Sequence, residues 1–327
     1  MTGRGAALDV VGSGAMGAVA GFLTRPCCTV PAALSVAGVS SAGLADVLAV
    51  MVLVSAISLS GRGAYASGHG PVFGMTTPTN AAGGWSLDVG LMGRTGEQDN
   101  GAMTRAMLSY GFTEDLQLSV SAPLVFAAAP FPPARGTAMM PGNGDVEGIF
   151  AWRFHRRGTG VGTRVESTAY GGLIVPGPQK PAGMARDLQR APGVYTAVAS
   201  GIASRSHYAW GGIAYTRFTE AKGDQRSDIF SYSAVWGYRP PPLRKEYPHW
   251  DWRVFVEMTG EKSGNLWRAG TEHVGTGGHQ IFLGPTALGI YKNYAIEGGV
   301  QVPVYRNVVA SVKRETLRYA VNFSYFF

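Results

Sequence analysis

The last eleven residues, LRYAVNFSYFF, put a large apolar side chain at every second position: Leu317, Tyr319, Val321, Phe323, Tyr325 and Phe327. Arg318, Ala320, Asn322 and Ser324 lie between them, and Phe326 is the one interruption. A period of two collects one set of side chains on one face of a strand. Chain ends usually fray and are polar, so a terminus that keeps alternating to its final residue has to be buried or recognised. The pattern recurs upstream. Trp85, Leu87, Val89 and Leu91 alternate with Ser86, Asp88 and Gly90. Leu116, Leu118, Val120 and Ala122 alternate with Gln117, Ser119 and Ser121. The same holds for Phe150, Trp152 and Phe154 against Ala151, Arg153 and His155, for Phe230 to Tyr238, for Trp250 to Met258, and for Tyr294 to Val304.

Twelve strands follow from this reading: 84–94, 102–112, 116–126, 145–156, 161–175, 192–204, 207–218, 228–239, 250–262, 279–291, 293–304 and 316–327. The fifth, sixth, seventh and tenth are rich in Gly and Ala and alternate less clearly. Strands of this length cross a bilayer when tilted, and the number is even. The connections alternate too. TGEQDNGAM, AAAPFPPARGTAMMPGNGD, PGPQKPAGMARDLQRAP, TEAKGDQRS, KSGNLWRAGTEHVGTGG and YRNVVASVKRET read as long; TED, RGTG, SH and KN read as short, with PPPLRKEYPH the exception. Outer-membrane barrels put short turns on the periplasmic side and long loops outside. The expected fold is therefore all-β, a closed antiparallel transmembrane barrel of about twelve strands at 84–327, preceded by an apolar helical N-terminal segment.

Composition agrees. Charged residues make up 15 % of 327, Gly numbers 47, and there are 7 Trp, 14 Tyr and 14 Phe, yet mean hydropathy is only +0.05. Alternating apolar and polar residues cancel in an average, as they do in membrane barrels. The net charge of +7 raises nucleic acid as a partner, but no basic run with interleaved aromatics exists to support it. Asp88, Arg105, Glu147, Arg153, Arg164, Glu166, Asp251, Arg253, Glu257, Glu297 and Arg318 fall on the face opposite the aromatic one. In a dry core each would cost several kcal/mol; around a wet lumen they cost little. They are the candidate lumen-lining residues, with both signs present and only mild selectivity implied. Trp85, Trp152, Trp236, Trp250 and Trp252 form the opposing, lipid-facing band. Outer-membrane lipid and a small-molecule solute are the partners implied.

Ahead of the barrel, residues 1–66 are apolar. VLAVMVLVSAISLSG followed by Ala64-Tyr65-Ala66 has the run length and small-x-small ending of a signal peptide, placed at 44–66, although Asp46 stands where a basic cluster is expected. Residues 67–83 read as a periplasmic lead-in. The opening GRGAALDVVGSGAMGAVAGFLTRPCCTVPAALSVAGVSSAGLA resembles the start of inner-membrane mercuric-ion transporters, with its vicinal Cys27 and Cys28. That resemblance implies soft thiolate ligands for a soft metal. The alternative is an extension, or an overlong start, before a secretory signal.

Across 68–327, the segments GHGPVFGMTTPTNAAGGWSLDVGLMGRTG, GDVEGIFAWRF and FLGPTALGIYKNYAIEGGVQVPVYR resemble the outer-membrane transporter family named after the meta-pathway of phenol degradation. The resemblance implies uptake or channel activity for small molecules, some relatives standing beside heavy-metal resistance. The aromatic ending, Tyr325 and Phe327, resembles the carboxy-terminal signal read by the barrel assembly machinery.

GxSxG, HExxH, Walker and CxxC motifs are absent. The six histidines, His69, His155, His207, His249, His273 and His279, have no metal-ligand spacing, and GSGAMG follows no strand. No catalytic residue and no cofactor is expected. The reading is a channel in which solutes diffuse past Arg and carboxylate rungs, with loop 127–144 or 176–191 as constriction. Its rivals are a mercury-type metal protein using Cys27 and Cys28, an outer-membrane enzyme and a closed structural barrel. Substrate and oligomeric state stay open.

Overall fold

The computed structural model of the chain describes residues 70–96, 100–127, 145–176, 191–245, 248–308 and 315–327. Cys27, Cys28, the signal segment 44–66 and nearly all of the loops at 127–144 and 176–191 lie outside these residues. The strands are β1 (Trp85–Gly96), β2 (Asn100–Gly111), β3 (Leu116–Ala127), β4 (Val146–Gly160), β5 (Thr163–Val175), β6 (Gly193–Ala203) and β7 (His207–Phe218). They continue as β8 (Ile229–Tyr238), β9 (Asp251–Ser263), β10 (Leu266–Arg268), β11 (Thr271–His273), β12 (Gly278–Tyr291), β13 (Tyr294–Val308) and β14 (Glu315–Phe326). All but β10 and β11 close into one barrel of twelve antiparallel strands, in which β1 pairs with β14. β10 and β11 form a small separate hairpin, bridged to the preceding loop through Gln225 and Trp267.

Every expected strand is present, within a few residues at each end. The ends are where sequence and structure part. β1 and β2 keep pairing to Thr95 and Asn100, so the first connection shrinks to 97–99 and is not long. β4 runs on to Gly160 and β13 to Val308. Apolar alternation stops where lipid would stop, but backbone hydrogen bonding needs no apolar side chain and continues into water. A register shift between Arg153 and His155 resets the alternation of β4 and leaves His155 exposed.

Side chains divide as the alternation requires. Trp152, Trp236, Leu173, Val302 and Phe323 are 47–64 % exposed on the outer wall. Their neighbours along the same strands, such as Ala151, Val235, Gln301 and Asn322, are buried. An outer wall so continuously apolar is stable in hydrocarbon rather than in water. Trp250 stacks on Trp252 and Tyr291, and Trp236 on Tyr238, at the short-turn end, the aromatic girdle of an interface. The seam closes at that end: Trp85 and Phe327 exchange backbone hydrogen bonds at 2.9 and 3.1 Å, and their rings stack.

Candidate functional site

The bore is not empty. Residues 70–84, immediately ahead of β1, run inside the barrel towards its short-turn end, and the wall holds them from many sides. The Glu257 carboxylate accepts three backbone N–H bonds, from Val72 at 2.8 Å and from Phe73 and Gly74 at 2.7 Å. Met75 N–H donates to Ser233 Oγ. Thr77 Oγ1 donates to Glu166 and accepts from Trp210 Nε1, and its carbonyl accepts from Thr168. The Tyr170 hydroxyl donates to the Thr76 carbonyl. Nearer the rim, Asn80 N–H donates to Gln117 Oε1 and its side-chain amide to Ser86. An irregular segment buried in protein needs partners for its backbone polar groups; here Gln117 of β3, Thr168 and Tyr170 of β5, Ser233 of β8 and Glu257 of β9 supply several of them, while Ser86 of β1 and Trp210 of β7 meet its side chains.

Packing completes the fit. Val72 and Phe73 bury against Met92 and Ala320, and Met75 against Tyr195, Ala197, Ala199 and Ala214. Two glycines make room. A Cβ on Gly74 would stand 2.2 Å from Val235, and one on Gly212 would stand 2.8 Å from the Met75 sulfur.

Among the described residues, two cavities stand out. An inner chamber of about 130 Å³ lies between the segment and the wall formed by β1 to β6 with β13. A vestibule of about 620 Å³ opens at the short-turn end, lined among others by Arg153, Arg156, Arg164 and Arg253. Pro78 and Asn80 border both, so residues 78–80 are the partition between them.

The inward positions carry the charges named from sequence. Asp88, Arg105, Glu147, Arg153, Glu166, Asp251, Glu257, Glu297 and Arg318 are each at most 9 % exposed, Arg253 is half-buried and Arg164 is exposed at the vestibule. This differs from a water-lined ring, because residues 70–84 fill the space that water would occupy. Charges buried so deeply need partners, and three networks provide them for most of these. At the long-loop end Arg318 takes Glu261 bidentately at 2.6 and 3.0 Å and Glu315 at 2.5 Å, and stacks over Phe282; Arg94 reaches Glu315 at 3.3 Å. Also there, Arg226 pairs with Asp145 and lies over Phe218. At the short-turn end Arg153 bridges Asp115 and Glu166, Arg164 reaches Glu166, and Arg239 and Arg253 share Asp251. In the middle, Ser324 donates to Asp88 and Asn322 to Glu297.

Sequence reasoning missed Glu261, Glu315, Asp145 and Arg226. Glu261 shares the face of Glu257 at a spacing of four, and strand period alone could have found it. Asp145 and Arg226 stand outside the strands, where period says nothing. Tyr325 and Phe327 lie on the seam, stacked on one another.

No protein-family profile matches the sequence, and no curated protein is similar enough to be matched. Solved structures do match. An outer membrane channel from Pseudomonas putida F1 superposes with a TM-score of 0.56 at 10 % identity, over 77 % of this chain and 98 % of that one. The NanC porin gives 0.46 at 11 % identity, over 73 % and 98 %, and the KdgM porin 0.40 at 10 %, over 73 % and 98 %. The fold is that of an outer-membrane β-barrel.

Proposed function

We propose that this chain is an outer-membrane channel for small solutes, closed at rest by residues 70–84. The observation that carries the reading is the pair of cavities in one bore, divided only by residues 78–80 of a segment anchored by hydrogen bonds. A vestibule separated from a second chamber by so short a stretch suits a channel that can close better than a structural barrel. The short-turn end is periplasmic by the usual asymmetry of such barrels, so the arginine-lined vestibule faces the periplasm. The sequence resemblance to the phenol meta-pathway transporters supports the same reading and leaves the solute open. Passage would proceed by diffusion past charged side chains, with pore radius and charge setting the traffic. Barrel assembly through the aromatic ending belongs to the same proposal.

Planar-bilayer recording of the native chain and of a variant lacking 67–80 tests it. Discrete conductance steps are expected from both, larger and longer-lived in the deletion. A correctly folded barrel that is silent in both forms would make the chain a closed structural barrel.

A further inference from the structure

The inner chamber is lined by two carboxylates, by neutral polar side chains such as Ser86, Ser109 and Ser119, and by apolar ones. Asp88 and Glu297 line it on one side; Met75, Met107, Tyr170 and Tyr195 line it elsewhere. Glu297 is 5 % exposed. Its Oε1 accepts from Asn322 Nδ2 at 2.9 Å, but its Oε2 has no hydrogen-bond donor among the described residues. A buried carboxylate oxygen left without a donor is costly. The charged groups that face Glu297 add to the imbalance, because they are Asp88 and Glu257, both acidic. Asp88 has Ser324 at 2.6 Å and Arg105 as a cationic neighbour. Glu257 has its three backbone N–H donors and Thr286. Of these three carboxylates, Glu297 is the one with neither a cation nor a full set of donors among the described residues.

We propose that the chamber binds a primary ammonium carried on a short apolar body, its N–H donors on Glu297 and Asp88 and its hydrocarbon against Met75, Met107 and the two tyrosines. This deepens the channel reading by giving the solute a chemical class. A hard metal ion fits less well: it wants six or more oxygens, several of them anionic, and among the described residues no three acidic or histidine side chains come together here, while thioethers and aromatic rings share the lining. Those same rings and sulfurs suit hydrocarbon beside a cation. The chamber, at about 130 Å³, is close to the roughly 150 Å³ that holds one benzene, which sets the body at roughly four to six carbons. Exchange with the vestibule would follow displacement of residues 78–80.

Calorimetric titration of the full chain in detergent, with n-butylammonium, n-butanol and sodium chloride as probes, tests the assignment. Saturable butylammonium binding is expected, about tenfold or more tighter than butanol, with sodium a poor competitor. Glu297→Gln should weaken it about tenfold, while Lys262→Gln, on the exposed long-loop end of β9, should leave it unchanged. Should Glu297→Gln fail to fold, the butylammonium-to-butanol ratio on the native chain decides alone. Equal binding of the two probes reduces the chamber to an apolar void, and displacement by equimolar sodium reduces it to a general counter-ion site; either outcome overturns the proposal. A barrel that conducts but ignores butylammonium ends this assignment only, and one that binds but never conducts ends the channel reading only.

Discussion

Replacing Glu257 should loosen residues 70–84 in graded steps. One carboxylate serves three backbone N–H groups of Val72, Phe73 and Gly74, all in the interior. Each buried N–H left without an acceptor costs roughly 1–3 kcal/mol. Glu257→Gln keeps one oxygen, which can retain Phe73 and Gly74 where Oε2 now stands. Its amide nitrogen then faces the Val72 N–H, donor against donor, and one group is orphaned. The Thr286 hydroxyl can turn to accept from that amide. Glu257→Ala orphans all three, roughly 3–9 kcal/mol before relaxation and water entry soften it. Since about 1.4 kcal/mol is a factor of ten in population, the displaced state should rise about tenfold for Gln and about a hundredfold or more for Ala. Open probability in planar bilayers, read beside limited proteolysis of the segment in detergent, reports that population from two directions. An Ala variant that folds as a heat-modifiable barrel yet keeps native dwell times and native protease resistance would show that Glu257 is not the latch, and the reasoning would fail.

Arg318→Met strands Glu261 in the interior and leaves Glu315 with Arg94 alone. Breaking a buried pair from one side should cost about 3–5 kcal/mol, read as a lower urea midpoint in lipid vesicles. Deleting Phe327 removes the final rung against Trp85; membrane-inserted yield in cells should fall severalfold, and an unchanged yield would place the assembly signal elsewhere. Changing both Cys27 and Cys28 to Ser should leave conductance as it was. A change in cellular sensitivity to mercuric ion would favour the metal reading.

The wall of the barrel was legible because a bilayer imposes a two-residue period that survives in a single sequence. Trp85 to Leu91, or Phe230 to Tyr238, admits no other face. Strand ends were less so: Thr95 and Asn100 pair through their backbones while their side chains carry no apolar mark. The charged positions were found by the same period, but their surroundings were not. Glu257 and Glu166 read as groups facing water, and the structure gives them the backbone of Val72–Gly74 and the hydroxyl of Thr77 instead. Nothing in GHGPVFGMTTPTNAAGG announces that it lies inside a sheet. Its glycines, prolines and threonines describe an extended, irregular chain equally at home outside. Gly74 is informative only once Val235 is known to stand against it.

The hydrogen bonds between Trp85 and Phe327 join the first strand of the barrel to the end of its last. The cylinder therefore cannot shut until β14 has been made, and until then β1 keeps one edge unpaired. Contacts so distant along the chain form slowly, and unpaired edges invite aggregation. The yield should therefore respond more to the supply of escorts between synthesis and insertion than to the stability of the finished structure.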